Sequence, residues 1–160
     1  MAWPMRGAAA LMLLAAIGFA RTTAAPPAAH LEPIGDPDPK DRQALVAVCG
    51  ACHPVNLIDD NVRSYADWQE TVRSMAERGA KGTDEQFERI SNYLYLSLTA
   101  LNVNEAAAED IAAILGIPAA SADAVVTRRE TRKFASIADL ATVAGVPSGQ
   151  LEARKRRIGF

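Results

Sequence analysis

Cys49-Gly50-Ala51-Cys52-His53 sets two thiols three positions apart, with an imidazole immediately after the second. The spacing C-x-x-C-H suits covalent capture of a haem. Each thiol adds to one vinyl group of the macrocycle, and the neighbouring histidine is held beneath the iron as proximal ligand. Other chemistries use parts of this pattern. A thioredoxin-like dithiol wants a βαβ setting, whereas the periodicity around these residues is helical. A zinc site needs four ligands; the chain offers two cysteines and two histidines, and His30 lies in a proline-rich stretch. A structural disulfide between positions 49 and 52 would close too short a loop to staple much. Haem attachment uses all three residues at once.

A second axial ligand has fewer clues. Met1, Met5 and Met12 fall in an N-terminal segment that reads as a signal, which leaves Met75 as the single methionine beyond it. A thioether opposite His53 would raise the reduction potential and close the iron to outside ligands. The competing reading is core packing, for which methionine is well suited. His30, Lys40, Lys81 or an open five-coordinate iron are the other options. A haem enzyme would need the open form, and no distal histidine is evident in the sequence.

The elements that must position these groups follow from the pattern. Met1 to Arg6 carries one positive charge, Gly7 to Ala20 is an apolar run, and Thr22-Thr23-Ala24-Ala25 offers small residues for cleavage. Residues 1–25 therefore read as a secretory signal peptide, giving a periplasmic protein with no membrane span after cleavage. The run is shorter than the roughly 20 residues a spanning helix needs. Residues 26–39 hold Pro26, Pro27, Pro33, Pro37 and Pro39 and read as an extended linker. Taking Arg6 and Arg21 from the 17 basic residues leaves 15 against 19 acidic ones, a net charge of −4. Neither half of the remainder is basic enough to imply nucleic acid by charge alone.

A first helix is predicted from Pro39 or Lys40, with Leu45, Val48 and Cys49 on one face. Ser64-Tyr65-Ala66-Asp67 and Thr83-Asp84-Glu85-Gln86 each read as a capping box. The first opens a helix with Trp68, Val72 and Met75 in line, closed by Gly79, and Trp68 is expected to wall the cofactor. The second opens a helix with Phe87, Ile90 and Leu94 in line, ending near Leu98. A unit of about 60 residues is small for an independent core, and a large flat cofactor gives three short helices something to pack around.

The C-terminal part repeats. Glu109 to Ala122 realigns with Ala138 to Leu151: Asp110 falls on Asp139, Ile114 on Val143, Gly116 on Gly145 and Pro118 on Pro147. Each unit reads as helix, Gly-apolar-Pro turn, helix, with Asn104 and Ser136 as N-caps, and no strand is expected. The fold class is all-α.

Residues 40–100 resemble a small class I-type cytochrome c domain: helix, C-x-x-C-H, loop and a closing helix rich in aromatics ("ISNYLYLSL"). "WQETVRSMAERGA" followed by "ISNYL" is similar to the haem domains found with quinohaemoprotein amine dehydrogenases. That resemblance implies one haem c per chain, bound by Cys49, Cys52 and His53 with Met75 as distal ligand. It also implies single-electron transfer between protein redox partners, such as a periplasmic dehydrogenase and a terminal acceptor, and no enzymatic activity of its own. The usual ligand methionine sits in a loop, whereas Met75 is predicted within a helix.

Residues 101–160 resemble the tandem helix-hairpin-helix module of the bacterial competence DNA-uptake protein. In that family the hairpin is Gly-apolar-Gly and its backbone N–H groups grip a phosphate. Here Pro118 and Pro147 replace the second glycine, and proline has no N–H to give. A docking role is therefore expected for the module. DNA or envelope binding through Arg128, Arg129, Arg132, Lys133 and Arg154 to Arg157, with haem as sensor or structural pin, is the alternative.

Overall fold

The computed structural model describes residues 37–160. The expected signal peptide, most of the linker and His30 lie outside the described residues. Pro39 opens α1 (Pro39–Cys49), where the Asp38 side chain accepts from the Lys40 N–H at 2.9 Å. Proline is tolerated there because a first-turn N–H has no partner within the helix. Ala44, Leu45 and Val48 are buried, and Cys49 ends the helix half-buried. The chain then turns through Cys52 and His53 into the single-turn α2 (Asn56–Asp59).

Ser64 opens α3 (Tyr65–Glu77), its Oγ accepting from the Asp67 N–H at 3.1 Å. The reciprocal half of the expected box differs: the Asp67 carboxylate accepts from the Ser64 hydroxyl at 2.7 Å instead of reaching the backbone. At the far end Gly79 has φ 99°. The Ala80 N–H donates to the Met75 carbonyl and the Gly79 N–H to the Ala76 carbonyl, each at 3.0 Å, the bond pair that closes a helix in a Schellman turn. Thr83 and Gln86 form a complete capping box at the start of α4 (Asp84–Leu98). Helix α4 packs along α1 and α3, and Leu45, Val48, Trp68, Ile90, Leu94 and Leu98 belong to one core. Asp41 is buried in the α1–α4 seam, accepting from Asn92 Nδ2 at 2.5 Å and from Arg89 Nη1 at 3.3 Å, so its charge is balanced and its lone pairs are used.

A second core follows. Leu101–Asn102 (β1) pairs in parallel with Ile158–Gly159 (β2), which corrects the expectation of no strand: two-residue strands are too short to leave an alternating pattern. Between them lie α5 (Ala108–Leu115), α6 (Ala119–Thr131), α7 (Ile137–Leu140), α8 (Ser148–Ala153) and a 3-10 turn over Lys155–Arg157. Val103, Ile111, Ile114, Leu115, Ile117, Val125, Phe134, Leu140 and Leu151 fill the centre. The repeat is thus two helical hairpins, the second with a leading helix of one turn.

Ser136 caps α7 as expected, accepting from the Asp139 N–H at 3.1 Å. Asn104 does not cap α5, which starts four residues later at Ala108 behind Ala107. Its buried carboxamide instead clasps Phe134, donating to the carbonyl at 2.9 Å and accepting from the N–H at 2.8 Å. Asparagine supplies both a donor and an acceptor, so one side chain satisfies both buried backbone groups of the loop before α7.

The hairpin glycines lock the two repeats together. Gly116 (φ 62°) and Gly145 (φ 77°) occupy the left-handed region, where a Cβ is strained. Each also lies against a side chain of the other repeat. Ser121 Oγ donates to the Gly145 carbonyl at 2.9 Å and fills the space a Cβ would take there. The Arg154 guanidinium, held by Gln150, lies 2.9 Å from the Cβ position of Gly116. Ser121 and Gln150 are equivalent positions of the repeat, so the lock is nearly two-fold.

Candidate functional site

Helices α1, α3 and α4 and the segment between α1 and α3 enclose an apolar cavity of about 400 Å³. Cys49 reaches it from the last turn of α1, and Cys52 and His53 from the turn that follows. Trp68, Val72 and Met75 line it from α3, at the helical spacing the sequence shows. Phe87, Ile90 and Leu94 complete the wall from α4. The cavity therefore gathers Cys49, Cys52, His53, Trp68 and Met75 around one space. Lys40 and Lys81 are exposed and do not line it.

The two thiols differ. Both are free, Cys52 exposed and Cys49 half-buried, and burial pushes the Cys49 thiol above its ordinary pKa. His53 Nδ1 lies 3.3 Å from the Pro54 carbonyl oxygen, which can only accept. In the tautomer with the proton on Nδ1 this pair is a hydrogen bond that would leave Nε2 for a metal, the outer-shell arrangement that orients ligating histidines. Trp68 is 2 % exposed and its Nε1–H donates to the Leu98 carbonyl at 3.0 Å, which fixes the ring as a rigid wall.

Residues that sequence reading did not select also line the cavity: Leu57, Ile58, Arg63, Thr71 and Arg78. Thr71 and Arg78 stand at i−4 and i+3 from Met75, so the period that ordered Trp68, Val72 and Met75 could have found them. Arg63 carries no such signal. It arrives through the chain's path, its N–H donating to the Leu98 carbonyl at 3.3 Å and its carbonyl accepting from the Ala100 N–H at 2.7 Å. Its guanidinium lies 5.3 Å from the Trp68 ring centroid, within cation–π range. Among the described residues, no group of three or more His, Cys, Asp or Glu is arranged to hold a metal ion.

The cations proposed for an anionic surface are largely engaged within the protein. Arg128 and Arg132 both donate to Asp139, at 2.5 and 2.9 Å, and Arg128 also lies 4.5 Å from the Phe134 ring centroid. The Arg128 guanidinium, ahead of smaller contributions from Ala135 and Arg132, holds the Asp139 carboxyl below its usual range. Arg129 donates to the Val103 and Ala106 carbonyls at 2.9 and 2.6 Å, and Lys133 to the Asn104 carbonyl at 2.9 Å. At the hairpin tips the Gly116 and Ile117 N–H groups both donate to the Ala112 carbonyl.

Compared with known proteins, residues 97–158 match a family model described as the helix-hairpin-helix motif. Of the helices around the cavity, the match takes in only the last two residues of α4. No curated protein and no solved structure matches the chain. The C-terminal part, with its two Gly-apolar-Pro hairpins, carries a helix-hairpin-helix module.

Proposed function

We propose that this protein is an exported mono-haem c-type cytochrome that carries single electrons between periplasmic redox partners, with the helix-hairpin-helix module serving to dock it. The observation that carries the reading is the convergence of both thiols, His53 and Met75 on one apolar cavity. The donor set fits the group. Cys49 and Cys52 would hold the macrocycle through thioethers, His53 Nε2 and Met75 would ligate its iron, and Trp68 would line the cavity beside it. Arg63 and Arg78 would supply counter-charges to the ring's two carboxylates. Arg63 and Arg78 line the cavity, no Asp or Glu does, and neither arginine makes an ion pair among the described residues. A haem bound there would supply reversible one-electron chemistry.

Optical spectra of the exported protein, oxidised and reduced, together with its intact mass, test this. The expected result is one covalently added haem and a weak long-wavelength band in the oxidised form that Met75→Ala removes. A colourless chain with the mass of its amino acids alone, made beside an active attachment system, would overturn it.

A second reading has its own support, because the helix-hairpin-helix match fits nucleic-acid binding. In that reading the haem domain would serve as a sensor or structural pin. Pro118 and Pro147 remove an N–H from each hairpin, and Arg128, Arg129 and Lys133 are engaged internally, so the docking role is preferred. A mobility shift with duplex DNA at low salt separates the two, since phosphate-driven binding is strongest there and falls steeply with added salt.

A further inference from the structure

We infer that the cationic C-terminal segment of the hairpin module is an intramolecular clamp on the loop between His53 and Arg63, so that the partner of this basic surface is the cavity-bearing half of the same chain. Arg156 Nη2 donates to the Asp60 carbonyl at 2.7 Å, across 96 positions of sequence. Arg157 is buried and joins the halves a second time, donating to the Leu96 carbonyl of α4 and to the Ile114 carbonyl of α5 at 3.1 Å. Pairing of β2 with β1, and the Val103 N–H donating to the Gly159 carbonyl at 3.1 Å, fix the segment that carries both arginines.

The clamped loop also has anchors of its own. Asp59 accepts from Arg42 of α1 at 2.7 Å and from the Tyr93 hydroxyl of α4 at 3.0 Å. Arg156 adds an anchor from the hairpin half. A guanidinium is suited to this because it donates to carbonyl oxygens in a fixed fork and stays charged at every physiological pH. Loop 54–63 supplies Leu57, Ile58 and Arg63 to the cavity. Arg156 is therefore a positioning residue for the cavity wall, and Arg157 ties α4 to the hairpin half beside it. Their consequence for a bound haem depends on the reading above, whereas the clamp itself does not.

Hydrogen exchange on the full chain tests it, read at the Ile58, Asp59, Asp60 and Asn61 amides, each bonded within the loop. Arg156→Ala, at an exposed position, should speed their exchange about tenfold while α6 amides keep their rates, as expected for local opening after loss of a charge-assisted bond. Arg157→Ala, whose bonds reach α4 and α5 and not the loop, should speed exchange in α4 near Leu96, and Arg157→Lys should restore part of that protection. In the haem-loaded protein Arg156→Ala should also lower the midpoint potential as water reaches the cavity. Unchanged loop exchange in Arg156→Ala overturns the clamp. So does an Arg156→Ala chain whose only defect is lost binding to duplex DNA. If the chain carries no haem the electron-carrier reading fails, yet the exchange rates of that chain still decide the clamp.

Discussion

Val103, Ile111, Leu115, Leu140 and Leu151 are wholly buried around a filled centre, whereas the helices between Pro39 and Leu98 meet around an apolar hollow of about 400 Å³. Both halves are about 60 residues long, a size at which a chain buries little surface for its length. The hairpin half closes its core with its own side chains and satisfies the loops around it with polar clasps such as Asn104 on Phe134. The first half caps α1, α3 and α4 with side chains but leaves its centre open. Side chains lining a void lose their dispersion contacts on that side. In the electron-carrier reading proposed above, the apolar group that fills this cavity is the haem held by Cys49 and Cys52.

The contrast can be broken most severely at the handle. In the electron-carrier reading, Cys49→Ala with Cys52→Ala should abolish covalent haem, seen by mass, and should melt the first half well before the second, so that one thermal transition becomes two. A smaller test compares two leucines. Leu115→Ala, in the filled core, should cost about 2–5 kcal/mol in urea unfolding. Leu94→Ala, which faces the hollow, should cost less than that in the haem-free chain and more once haem is bound. Asn104→Ala strands the buried N–H and carbonyl of Phe134 and should cost about 1–3 kcal/mol. Asn104→Asp should not rescue it, because a carboxylate has no donor for the Phe134 carbonyl.

The smallest effect is expected from acid. Asp139 has its pKa lowered chiefly by Arg128, so the unfolded chain binds its proton more readily than the folded one. Its contribution to the hairpin half is complete above about pH 4 and is lost as pH falls through the lowered folded value. Asp139→Asn should flatten that part of the acid-stability curve, read by circular dichroism, and leave the curve near neutral pH unchanged in shape.

Several features were legible in the sequence because they are local. The C-x-x-C-H run, the Thr83–Gln86 box, the Gly79 closure and the Gly-Ile-Pro and Gly-Val-Pro turns depend on residues within one or two turns of each other. The spacing of Trp68, Val72 and Met75 likewise fixed a shared face. Contacts between distant segments were not legible. Asn104 had the residue type of a cap, and only the approach of Phe134, thirty positions on, gave its amide two better partners. The C-terminal arginines had the composition of an anionic-surface binder, and only the packing of the two halves turned Arg156 and Arg157 onto backbone carbonyls. Arg63 reached the cavity by a path that no period marks. Sequence by itself determined which groups could do chemistry and which helices carry them, because propensity, capping and periodicity act over a few residues. The tertiary structure alone decided that the thiols, imidazole and thioether face one space and where the cations are spent, because those outcomes depend on which surfaces meet when the helices pack.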